Sequence, residues 1–153
     1  MDKSTNNRIL QRIAAAVIAA TASFGLVWIC RNRRLFTVND VTTGESFDYP
    51  ELRAHVYYSD PETTLSAAKR AVESQSDFRL VQIDSEQQVL MAEALSSSGN
   101  FVDDVVIQVE PMGPRHTRVI VRSRSRTGRG DLGENAKHIR SLQASMDDIL
   151  VGG

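Results

Sequence analysis

The sequence has almost no cysteine. Its single thiol, Cys30, excludes an internal disulfide and is too few for a thiolate metal site. Histidine is nearly as scarce: His55, His116 and His138 lie far apart, none at a metal-ligand spacing. No metal site and no cofactor is expected. Internal repeats and low-complexity tracts are also lacking, which excludes solenoids and disordered arrays. An excess of one charge is missing too, since the formal net charge is −1.

That balance conceals an asymmetry. Residues 1–34 carry six Lys/Arg and one acid, whereas residues 35–153 carry twelve Lys/Arg and eighteen acids. Within the second part, residues 115–140 hold eight of the twelve cations and only two acids. An acidic body with one basic strip lacks the broadly positive face that nucleic-acid binding needs, so no nucleic-acid partner is expected.

The one long uncharged run is Ile13 to Cys30, bounded by Arg12 and by the Arg31–Arg34 cluster. As a helix, eighteen residues span about 27 Å, close to the ~30 Å hydrocarbon thickness. The run predicts a single membrane anchor, and Trp28 suits the interface. A cleaved signal peptide at Ala20–Ala22, a lipoprotein site at Cys30 and a soluble core helix are the alternatives. Apolar residues continuing to Cys30 oppose the first, and Ile29, where a small residue should stand, opposes the second. Lys3, Arg8 and Arg12 balance Arg31, Arg33 and Arg34, so charge does not set the orientation. The organisation expected is tail and anchor over 1–34, linker over 35–48 and a globular domain over 49–150.

In that domain Leu52–Ser59 alternates as a strand. "SDPE" at 59–62 is a helix start, with an apolar face running through Leu65, Ala68 and Val72 to about Glu73. "FRLVQID" with "QVLMAEA" and "FVDDVVIQVE" with "TRVIVRSRSR" read as two hairpins. "DLGE" at 131–134 opens a last helix with a stripe of Ala136, Ile139, Leu142, Met146 and Ile149. The order β-α-β-β-β-β-α implies a two-layer α+β domain: an antiparallel sheet with both helices on one face, preceded by the transmembrane helix.

The arginine-rich strand raises its own question. The two-residue period puts Arg118, Ile120, Arg122, Arg124 and Arg126 on one face and Val119, Val121, Ser123 and Ser125 on the other. Matching the faces of the hairpin allows Val109 opposite Val119 or opposite Thr117. The first register sets Asp104 against Arg124 and Glu110 against Arg118; the second sets Asp104 against Arg122. Cross-strand pairing thus accounts for part of the charge. Arg126, Arg129 and Gly130, beside free helix-start amides, are the candidate anion site. Asp131 competes with it by capping those amides. Asp103 falls on the helix-covered face, where a carboxylate needs partners. Asp103, Asp104, Ser123, Ser125, Asp131 and Asn135 form an expected structural latch. Asp103 and Ser125 as acid and nucleophile of a hydrolase lack a histidine placed to act as base.

At these residues the chain resembles the family known as domain of unknown function 1499. The resemblance rests on "DYP" at 48–50, "F-x-DDV" at 101–105 and "RSRSRTGRGDLGENAKHIR" at 122–140. His138 stands where that pattern more often has arginine. The resemblance covers about residues 45–150 and implies a bacterial or plastid-type protein, often attached to or exported across a membrane, with no established activity. The expected function is therefore a membrane-anchored, non-enzymatic binding or scaffolding domain with an unknown protein or lipid partner. A carrier or sensor of a small anion or lipid headgroup is the first alternative, and a hydrolase the second.

Overall fold

The computed structural model describes residues 27–152. The chain divides into two units, residues 1–33 and 34–153. Of the first, residues 27–31 are helical, and Asn32 Nδ2 donates to the carbonyl of Trp28 at 2.8 Å. Residues 13–26 of the expected anchor lie outside the described residues. Among the described residues no helix is long and apolar enough to cross a membrane.

The second unit is α+β. Helical turn α1 (Arg34–Thr37) leads to β1 (Asp40–Thr42) and β2 (His55–Tyr57), then helix α2 (Pro61–Glu73). Strands β3 (Phe78–Asp84), β4 (Val89–Leu95), β5 (Val102–Gly113) and β6 (His116–Ser125) follow, and helix α3 (Glu134–Leu150) closes the chain. All pairings are antiparallel, in the order β1-β6-β5-β4-β3, with β2 also on β6. β6 therefore carries two short strands on its outer edge: β2 against residues 117–119 and β1 against 122–124.

Local chemistry explains these bounds. Asp60 caps α2, accepting from Thr63 N at 2.9 Å, and Pro61 occupies the first turn, where its missing N–H is harmless. The β5–β6 register is the first of the two allowed: Val109 opposes Val119, Asp104 opposes Arg124 and Asp103 opposes Ser125. One sheet face then presents Leu90, Val105, Ile107, Val109, Val119 and Val121 to Leu65, Ala68 and Val72 of α2 and to Ile139, Leu142 and Met146 of α3. All of these are buried, so the helix–sheet interface is filled rather than hollow.

The stretch 35–48, expected as a linker, is corrected by this structure. It contains α1 and β1 and straps the last loop of the domain. Asp131 N donates to Val38 O at 3.1 Å, Leu132 N to Leu35 O at 2.8 Å, and Asn39 Nδ2 to Gly128 O at 2.7 Å. A three-residue strand is too short to display a period, so its place follows from partners far along the chain.

Candidate functional site

The arginines of β6 are largely committed to carboxylates. Arg118 donates to Glu110 through Nε at 2.9 Å and Nη2 at 2.6 Å. Arg122 makes a two-pronged contact with Asp40 at 2.9 and 2.5 Å, and Arg124 lies 3.9 Å from the same carboxylate. Asp104 does not bond the Arg124 that it opposes; its partner is Arg126, at 2.9 and 2.6 Å. Arg126 also reaches Glu93 at 2.7 Å, and Arg79 completes the row on Glu93. These contacts lower the Glu93 carboxyl, first through Arg79 and then Arg126, and raise Arg126, first through Asp104. Arg122 likewise lowers Asp40. The face away from the helices is thus a ladder of paired charges. Of the expected anion residues, Arg126 sits within this ladder. Arg129 is exposed and carries no ion pair among the described residues.

The loop from Arg126 to Gly133 is held from two sides. Asp131 accepts from Gly133 N and Asn135 N, each at 2.8 Å, and so satisfies amides at the start of α3. Gly128 has φ +89°, where a side chain would be strained. Gly130 is a matter of space: a Cβ there would meet backbone atoms of Phe36 at 2.3–2.5 Å. Asn135, fully buried, joins the loop to the sheet. Its Oδ1 accepts from Ser123 Oγ at 2.6 Å, and its Nδ2 donates to Ser125 Oγ at 3.1 Å and to Asn39 O at 3.0 Å. On the same helix, Glu134 accepts from Ser97 N and Oγ, each at 3.0 Å.

Asp103 is 1% exposed, yet the serines do not satisfy it. Its neighbour is His138, also 1% exposed, with Nδ1 at 3.3 Å from Asp103 Oδ2. The atoms are not aligned for a hydrogen bond, and among the described residues Asp103 Oδ1, Oδ2 and His138 Nδ1 all lack a hydrogen-bond partner. The other ring nitrogen, Nε2, faces Leu95 O at 3.3 Å. A carbonyl only accepts, so Nε2 carries the proton. Phe78 stacks edge-on against the ring at 5.5 Å. His138 lies on the inward stripe of α3, one residue before Ile139, and stands beside Asp103 rather than beside a serine that it could deprotonate. Ser123 and Ser125 bond Asn135, and neither bonds a histidine among the described residues.

Asp103 and Ser125 line a cavity of about 330 Å³ at this end of the sheet. Its walls are Ser96, Ser97, Ser98 and Phe101 from the β4–β5 connection, Thr127, Gly128, Gly130, Asp131 and Leu132 from the β6–α3 connection, and Glu134 at the start of α3. Phe101 and Leu132 are exposed at 54% and 66%, so its apolar parts face outward. Among the described residues three carboxylates line the cavity and no Lys or Arg does. Arg129 and Arg126 do not line it.

Behind the loop, Tyr49 of the "DYP" motif is buried between Arg34, 4.6 Å from its ring centroid, and Arg140 at 6.0 Å. Arg140 bonds Glu51 at 2.7 Å and Arg34 bonds Asp48 O at 2.9 Å. Burial raises the Tyr49 phenol. The motif thus clips the start of the domain to α3.

This chain belongs to the family described as Protein of unknown function (DUF1499), whose model matches residues 31–146. No curated protein matches it. Among solved structures it is similar to the di-domain ARO/CYC BexL from the BE-7585A biosynthetic pathway, with TM-score 0.46, 9% identity and 74% of this chain covered. The chain spans 44% of that protein's length. It is also similar to a Thalictrum flavum norcoclaurine synthase point mutant, with TM-score 0.44, 6% identity, and 76% and 96% of the two chains covered. A START superfamily protein from Mycobacterium smegmatis gives TM-score 0.44, 9% identity and coverage of 75% and 99%.

Proposed function

We infer that this member of the family is a membrane-tethered, non-enzymatic domain that binds a small molecule in the cavity between the β4–β5 and β6–α3 connections. The observation that carries the reading is Asp103, a buried carboxylate at the cavity wall with neither oxygen hydrogen-bonded. Leaving such a group unpaired is costly, so its retention favours a partner that arrives from the cavity. The volume, about 330 Å³, lies at the lower end of ligand pockets, roughly 300–1,000 Å³. The filled helix–sheet interface directs attention to this end of the domain. Binding is preferred over hydrolysis because among the described residues no histidine bonds a serine of this cavity: Ser96 and Ser98 bond each other, Ser97 donates to Glu134, and Ser125 accepts from Asn135. The tether rests on the charge-free run Ile13–Cys30.

The test compares the full chain with Thr127→Trp, which fills the cavity from an exposed wall position. Both are purified from native membranes, and small molecules that accompany them are identified by mass spectrometry. A compound enriched with the parent chain and lost in the variant is the expected result. Equal recovery from both would remove the cavity as the binding site.

A further inference from the structure

We propose that the cavity selects a primary ammonium group on a small apolar body, with Asp103 as its acceptor. The proposal rests on the cavity being a binding site and names what it takes.

Asp103 lines the cavity, and both of its oxygens are shielded from water and without a hydrogen bond among the described residues, so a donor that reaches them meets a dehydrated carboxylate. The rest of the lining sets the sign. Asp131 and Glu134 add two further carboxylates, and no basic side chain among the described residues lines the walls. Both have their own partners: Asp131 holds two backbone amides, while Glu134 holds Ser97 and lies 3.7 Å from Lys137. Lys137 also bonds Ser97, which keeps its charge at the outer turn of α3. Asp103 is thus the acceptor left open.

His138 does not fill that role. Its Nδ1 is 3.3 Å from Oδ2 but poorly aligned, and Oδ1 has no hydrogen bond among the described residues. An ammonium supplies what the pair lacks: up to three donors and a compensating charge. A hydroxyl of the same shape offers a donor without the charge. A carboxylate offers neither and meets three like charges. The apolar body has its own place, against Phe101 and Leu132 at the mouth. Affinity should therefore fall in the order ammonium, alcohol, carboxylate.

The experiment titrates the full chain, carried in phosphatidylcholine nanodiscs with empty nanodiscs as blank, with benzylammonium, benzyl alcohol and phenylacetate, and reads heats of binding. Benzylammonium should bind at least about tenfold more tightly than benzyl alcohol, as expected for a hydrogen bond to a charged partner over a neutral one. Phenylacetate should be the weakest. Asp103→Asn, nearly isosteric, should bring benzylammonium down to the level of benzyl alcohol. Leu132→Gly should weaken both probes alike. Leu132 is exposed with φ +55°, so glycine is tolerated there and the variant tests the mouth without endangering the fold.

If alcohol equals ammonium, or the preference survives Asp103→Asn, the ammonium assignment is overturned. The cavity itself stands in that case if Leu132→Gly still weakens the probes. Tightest binding by phenylacetate overturns the assignment outright. If none of the three binds, the cavity reading falls with it. Repeating the titration in phosphatidylethanolamine nanodiscs fixes the source of the group. Lower apparent affinity there marks an aminolipid head, and unchanged affinity marks a soluble amine.

Discussion

Asn135 uses both halves of its amide at once, accepting from Ser123 and donating to Ser125 and to the Asn39 carbonyl. Aspartate has the shape but not the donors, and alanine has neither. Asn135→Ala should therefore cost about 1–3 kcal/mol by stranding buried groups, and Asn135→Asp at least as much. Asp131→Ala should cost about 0.5–2 kcal/mol, the usual range for a lost helix cap. Arg129→Ala should stay within about 0.5 kcal/mol, as for other exposed charges. Denaturant midpoints rank the four variants, and an unchanged midpoint in Asn135→Ala would remove the latch. At this scale the sequence was half legible. Asp131 announces a helix start, although the cap position itself is Gly133 and Asp131 reaches the first amides from two residues before it, and the strand period turns Asp103 inward. The identity of its neighbour was hidden, because His138 is contributed by a helix 35 residues away. Only the phase of the α3 stripe brings it inward. The need for glycine at 130 was not legible, since the backbone that crowds it, at Phe36, comes from the other end of the domain.

Between elements, β5 and β6 show how far a period can be taken. Two strands with matched faces have few registers, and the observed one places Val109 opposite Val119. The partner of each charge was less legible, because long arginine side chains reach diagonally. Arg126 passes its direct neighbour to hold Asp104 and Glu93. The ladder makes a pH prediction. Glu93 is held below its ordinary 4.5 and Asp40 below its ordinary 3.8. A depressed carboxyl contributes stability that is fully present above its unfolded value and is lost as pH falls through the folded one. The thermal midpoint should therefore be flat from neutrality to about pH 5 and decline below it. In Glu93→Gln the midpoint at pH 7 should be lower and the decline below pH 5 shallower. Parallel acid profiles for the two proteins would show that the Arg79–Glu93–Arg126 row does not contribute to folding.

For the whole molecule, the boundary between its two units matters most. Composition alone places a boundary near Arg34, where a charge-free run and a basic cluster give way to an acidic domain. It does not reveal that the first residues of the domain are structural. α1 and β1 bond the loop that forms one wall of the cavity, and they also supply Asp40 to two arginines of β6. Three chains separate these roles. The intact protein should remain with membranes through a carbonate wash, because eighteen uncharged residues suffice to span a bilayer. A chain beginning at Arg31 should be released into the soluble fraction with its thermal midpoint unchanged, since every strap residue is kept. A chain beginning at Thr43 loses β1, the Asn39 contacts to Gly128 and Asn135, and the backbone of Phe36 against Gly130. It should melt earlier, and amides of residues 126–135 should exchange faster than those of the β4–β5 pairing. Release of the intact protein by carbonate would sink the tether. Equal melting of the two shortened chains would return residues 35–42 to the status of a linker.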